Sequence, residues 1–194
     1  MALPARLRNS LALIAALGGC AGGPPAPDWQ AAAAQAMSAF QRLYFAGNTA
    51  AAEAEFKNAR AELARTGRAD LVARAELLRC AVRAASLEFD DCPGFEKLRY
   101  GASPEQIAYA DYLGGKGSHR ATEEPLSRLV AAAVQLRNGA VTPAGMNGAV
   151  DIASAQGWRR PLLAWLGVQE KRAADAGDGE TAARIRRRIE LISG

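Results

Sequence analysis

A single histidine, His119, occurs in the 194 residues. The commonest routes to a metal centre or a histidine-based acid–base pair are therefore closed, because no second imidazole can join it. No Gly-x-Ser-x-Gly elbow and no His-Glu-x-x-His pair is present, which leaves out serine hydrolases of that type and zinc proteases. Runs of β-branched residues are scarce, so nothing suggests the strand–helix alternation of a nucleotide-binding sheet. The glycines around Lys116 do not make a phosphate loop, since the Gly-Lys-Ser/Thr ending is missing and no strand precedes them. His119 itself falls in that loop and is expected to be solvated. Carboxylates are plentiful, but Glu88, Asp90, Asp91, Glu123 and Glu124 fall at predicted helix ends and turns, where capping and solvation account for them. No catalytic residue, cofactor or metal site is expected.

What is present points to helices and to an address. Hydrophobic residues make up 49% and charged residues 23% of the chain, a globular balance, and abundant alanine favours an all-α fold. At the N-terminus Arg6 and Arg8 precede a short apolar run over 11–17 that breaks at Gly18-Gly19. That run is about half of the ~20 residues a membrane-spanning helix needs, so 1–19 is expected to be a signal peptide. Cleavage there would leave 175 residues, enough for one domain, and lower the formal charge from +4 to +2 as the two arginines depart. The basic balance is then too small to suggest nucleic acid.

The four residues Leu17-Gly18-Gly19-Cys20 resemble the lipobox of bacterial lipoproteins. The resemblance implies lipid transfer to Cys20, cleavage before it, and acylation of the new amino group by a palmitate-type chain. Ala21 follows where many retained inner-membrane lipoproteins carry Asp, so it implies an outer-membrane anchor, with the domain facing the periplasm. More than one acyl chain gives stable attachment. Residues 20–27 then form a tether whose glycines and prolines exclude a helix, and 28–194 form a single helical domain of about eight helices.

The helices are read from periodicity and caps. Asp28 is expected to cap a first helix over 28–46 with Trp29, Ala33, Met37, Phe40 and Tyr44 as its stripe and Gly47 as its stop. A second, after Asn48, carries Ala52, Phe56, Ala59 and Leu63, and the two should pack as an antiparallel hairpin. Over 36–69 the offsets of Phe40, Leu43, Gly47, Ala52, Phe56 and Ala59 resemble a tetratricopeptide repeat, although Ala64 replaces its closing proline. A weaker echo places Gly177-Asp178 before Ala182, and a plain irregular bundle is the alternative to tetratricopeptide-like packing.

A third helix over 70–89 should bury Leu71, Ala75, Leu78, Val82 and Leu87 while Arg74, Arg79 and Arg83 face solvent. Ser103 with Gln106 makes a capping box. Thr122 and Thr142 are expected to cap two further helices, ending near Asn138-Gly139 and Gly157. The apolar run Leu162, Leu163, Trp165, Leu166 and Val168 implies burial on more than one side, and a last helix spans 179–192.

With Cys20 lipidated, Cys80 and Cys92 remain in an oxidising compartment, so a disulfide is the economical pairing. A buried free Cys80 with an exposed Cys92, or a metal site, are the alternatives. Two candidate binding features remain. Arg159, Arg160, Arg184, Arg187 and Arg188 offer an anion or partner patch, and Tyr44, Phe45, Tyr109 and Tyr112 offer an aromatic groove for a peptide or helix. The expected function is a lipid-anchored adapter, scaffold or assembly protein of a cell-envelope complex, with a membrane and an envelope protein as partners and neither nucleic acid nor nucleotide. A peptidoglycan-binding protein or accessory factor of a wall-acting enzyme is the alternative.

Overall fold

The computed structural model describes residues 27–194. The expected signal segment, the lipidation site Cys20, and the tether apart from Pro27 lie outside the described residues. The described chain is all-α, with helices α1 (Asp28–Ala46), α2 (Thr49–Ala64), α3 (Ala69–Ala85), α4 (Pro93–Glu96), α5 (Pro104–Leu113), α6 (Pro125–Arg137), α7 (Pro143–Ala155), α8 (Arg159–Asp175) and α9 (Gly179–Ser193). A 3-10 turn at Arg99–Gly101 joins α4 to α5. None of these helices is long and apolar enough to cross a membrane.

One local device ends most of the helices. Gly47, Leu87, Gly115, Gly139, Gly157 and Gly177 all have φ between 62° and 96°. In each case the next N–H reaches the carbonyl five residues back, for example Asn48 to Leu43 and Asp178 to Ala173, the closure that satisfies carbonyls at a helix end. At Gly115 a Cβ would also stand 2.5 Å from Asn138 Oδ1. Leu87 is the exception to glycine, and it stops α3 at Ala85 rather than near Phe89. The start signals hold at Asn48, Ser103 and Thr142, whose side chains accept from an N–H three residues on, and Asp178 caps α9 in the same way. Two expected caps are corrected. Asp28 lies inside the first turn of α1 behind Pro27, and Glu124, not Thr122, accepts from Ser127 N to cap α6.

Helix α3 organises the packing. Val72, Ala73, Ala75, Leu77, Cys80, Ala81, Val82, Ala84 and Ala85 are all buried, which puts burial around most of the helix rather than along one stripe. Its small side chains let α1 and α2 approach on one side and α5 and α6 on the other. The α1–α2 hairpin is welded by Phe40, fully buried and 5.4 Å from Phe56. Helix α8 packs against α1, α7 and α9. Its Trp165 is fully buried and donates from Nε1 to Ala85 O at 3.2 Å, satisfying a carbonyl at the end of α3.

The arginine row on α3 is not simply solvated. Arg79 pairs with Glu53 at 2.8 Å and lies 4.9 Å over the Phe56 ring, while Arg83 faces Asp90 at 3.3 Å and Glu88 at 3.9 Å. Arg74 alone in that row stays exposed. Glu76 is buried, and Arg60 donates to its Oε1 at 2.9 Å, the pairing that a buried carboxylate needs.

The sulfurs of Cys80 and Cys92 stand at disulfide distance, with Cα atoms 5.8 Å apart. Asp90 lies beside both and accepts from Cys92 N at 2.9 Å, holding the turn that brings the second cysteine back to the helix. Thiol labelling of the denatured, unreduced protein should leave Cys80 and Cys92 unmodified, and reduction should expose both; labelling before reduction would show that they are free thiols. Closing a loop of this size stabilises by about 3 kcal/mol in the chain-entropy model, so Cys80→Ala/Cys92→Ala should lose roughly that much in urea unfolding. Phe40→Ala should cost more, about 3–5 kcal/mol.

Candidate functional site

An open apolar groove of about 920 Å³ runs over one side of α3. Its floor is Leu71, Leu78 and Ala75, and one wall is the face of α1 carrying Trp29, Ala33 and Met37. The opposite wall comes from Tyr109 on α5, His119 in the following loop, and Leu126 at the start of α6. The wall is fixed in place by Gln106, which completes the capping box with Ser103 and donates from Nε2 to Asp70 O at 2.9 Å. The start of α5 is thereby tied to the start of α3. At the far end of α5, Arg137 donates to Leu113 O at 3.1 Å and Asn138 to Gly115 O at 3.2 Å, anchoring the loop that leads to His119.

Trp29, Met37, Leu71, Leu78 and Tyr109 are half-buried, unlike the closed core beneath them. Their exposure leaves apolar area for a ligand to cover. The rim is charged in both senses, with Arg74 on one side and Glu105 and Glu124 on the other. The Ser103 hydroxyl donates to Glu105 at 2.7 Å and holds its carboxyl below the usual range. Among the described residues Arg74 makes no salt bridge, so its guanidinium is open to an acidic group.

Of the four expected groove aromatics, the structure brings two to this site. Tyr109 lines it, and Tyr112 is buried behind with ring centroids 6.1 Å apart. His119 is not simply solvated, since its ring packs on both tyrosines at 4.9 and 5.3 Å. Tyr44 and Phe45 are corrected: they are 2% and 1% exposed and belong to the core. Phe45 stacks on Trp158 at 4.6 Å. Tyr44 donates to Glu88 Oε2 at 2.6 Å under the guanidinium of Arg160, which lies 4.0 Å above its ring. Helical spacing did not separate the four residues, but only Tyr109 faces an uncovered side of α3, with Tyr112 packed behind it. Trp29 and Met37 were placed in the core stripe, and the sequence carries no signal that α2 covers only part of α1.

The five arginines do not form one patch. Arg159 donates to Ile192 O and Ser193 O at 3.1 and 3.0 Å, capping the negative end of α9. Arg160 reaches Glu88 at 3.2 Å and the Thr49 hydroxyl at 2.5 Å. Arg184 and Arg188 line a cleft against α7 and α8, Arg184 bonding the Thr181 hydroxyl within α9 and Arg188 the Ser154 hydroxyl on α7. Arg187 is exposed on its own.

Burial raises the phenols of both Tyr44 and Tyr109 to about 12, helped by Glu88 beside the first and by Tyr112 and Glu124 near the second. An acid raised on folding favours the folded state while it stays protonated. That contribution is fully present below the unfolded value near 10 and is lost as pH rises toward about 12. The melting temperature should therefore fall across that window, in step with delayed tyrosinate absorbance; ionisation of all tyrosines near the ordinary value, with no loss of stability, would contradict it. Comparison with family models, curated proteins and solved structures gives no match, so function is argued from the site and the sequence.

Proposed function

We propose that this protein is a lipid-anchored adapter or assembly protein of a bacterial cell-envelope complex, and that it holds an apolar helix or peptide of its partner in the groove over α3. The observation that carries this is the set of half-buried apolar side chains from α1, α3 and α5, open at the surface and bordered by charges of both signs. An amphipathic helix presents the matching chemistry, with apolar side chains for Leu71, Leu78 and Met37 and an acidic residue for Arg74. The lipobox-like Leu17-Gly18-Gly19-Cys20 supports the anchor and the address.

Anchor and groove are adjacent in the chain. Trp29, at the groove, is the second residue of α1, and the eight residues 20–27 lead directly to that helix from the lipidation site. At full stretch such a segment spans about 26–29 Å. A lipid on Cys20 would thus hold the groove within that distance of the bilayer surface, and partner capture would be a membrane-proximal event.

A photo-crosslinking residue placed at Met37 should trap a specific envelope protein in intact cells, and one at Lys57, on the exposed face of α2, should not. Leu71→Glu, which puts a charge on the groove floor, should reduce that adduct by tenfold or more with little effect on the fold. Cys20→Ala should reduce it by removing the anchor. Adducts with glycan strands in place of protein, or binding to purified peptidoglycan that survives high salt, would replace the adapter with a wall-binding protein.

A further inference from the structure

A second cleft, of about 550 Å³, lies between α7, α8 and α9 on a different part of the molecule from the groove. Helix α9 contributes Thr181, Arg184, Ile185 and Arg188 at i, i+3, i+4 and i+7, a single face of the helix. Arg172 reaches the cleft from α8. The floor is apolar, with Leu166 fully buried, Met146 and Val150 nearly so, and Ile185 half-buried. Asp151 is the one carboxylate among the lining residues, set against three guanidinium groups.

Among the described residues none of those three arginines makes a salt bridge, although the Asp178 carboxylate is near enough to Arg184 to feel its charge. Arg184 bonds the Thr181 hydroxyl at 3.0 Å, Arg188 the Ser154 hydroxyl at 3.3 Å, and Arg172 the Val141 carbonyl at 3.5 Å, all neutral partners. Arg186, on another face of the same helix, shows the contrast: Glu170 accepts from it at 2.8 Å. Concave shape, an apolar floor and guanidinium groups outside any salt bridge suit a ligand with an anionic oxygen-rich end and an apolar body. Leu191 adds a second observation. It is 82% exposed, and it continues the Arg184–Arg188 stripe at i+7 and i+3. An exposed leucine among arginines on one helix face is the pattern of a segment that lies against a lipid surface.

The geometry points to a binding site for an anionic phospholipid: phosphate held by Arg172, Arg184 and Arg188, the start of the acyl region over Met146 and Ile185, and Leu191 facing the bilayer. The site is independent of the groove over α3, and it would give the domain a contact with the membrane beyond the one at Cys20. Each arginine near an anionic lipid contributes about fivefold in affinity, so removal of two should weaken binding roughly thirtyfold.

The methionines provide the assay. Of the three in the chain, Met146 lines this cleft and Met37 the other groove. Full-length protein labelled at the methionine methyls is titrated with soluble short-chain phosphatidylglycerol, the matching phosphatidylcholine, and inorganic phosphate. Phosphatidylglycerol should shift Met146 saturably and leave Met37 unmoved, while the other two leave Met146 unmoved at the same concentrations. Arg184→Gln/Arg188→Gln should weaken that titration about thirtyfold, and Arg186→Gln should leave it unchanged; an unperturbed Met37 signal reports that both variants are folded. An equal shift with phosphatidylcholine or with phosphate alone, a shift at Met37, indifference to the double substitution, or no shift at all would each overturn the assignment. Displacement of the lipid by a polyglutamate peptide at similar concentration would also overturn it, transferring the cleft to an acidic protein segment.

Discussion

Burial of α3 around most of its circumference is the constraint from which the architecture follows. A helix that exposes apolar or small residues around most of its circumference cannot sit on a surface; it must be wrapped. The alanines at 73, 75, 81, 84 and 85 make it thin, which lets neighbours close in on it from two sides. Those neighbours do not meet over the whole length. Where α1 and α5 stand apart above Leu71 and Leu78, the same apolar surface that drives folding is left partly uncovered, and that gap is the groove.

The far end of α3 is closed by polar interactions. Leu87 turns the chain, Glu88 then accepts from Tyr44 and Arg160, and Arg83 faces Asp90 beside the two cysteines. Helices α1, α3 and α8 and the cysteine turn are coupled there through a few side chains in partial burial, where each hydrogen bond is stronger than in water and each unpaired group costlier. Arg83 Nε is buried with no acceptor among the described residues. Rigidity at that end and an open groove on another side of α3 suit a scaffold that presents a preformed surface, and they fit the adapter role proposed for it.

The two clefts differ in chemistry. The groove over α3 is lined mainly by apolar and aromatic residues with a mixed rim, as a helix-binding surface requires. The cleft of α7, α8 and α9 has a smaller volume and is positively charged. A protein anchored by lipid, holding a partner at one place and meeting anionic lipid at another, would have its orientation on the membrane restricted as well as its distance.

Much of the fold was legible in the sequence because it is locally encoded. The C-terminal ends of α1, α5, α6 and α7 follow from glycine at left-handed positions and the starts of α2, α5 and α7 from Asn48, Ser103 and Thr142, none of which needs a distant neighbour. The proximity of Cys80 and Cys92 was legible for the same reason: a short turn after a helix leaves few places for the second cysteine to go. What the chain alone determined was therefore an all-α fold, most of its helix boundaries, and the motif at Cys20. Only the tertiary structure decided which apolar stripes are sealed and which line a groove, and where each arginine finds its partner. Tyr44 and Tyr109 were both candidates for an aromatic groove, yet one is sealed beneath Arg160 and the other lines an opening. The physical reason is that periodicity says which face of a helix avoids water, whereas exposure depends on how completely another helix covers that face.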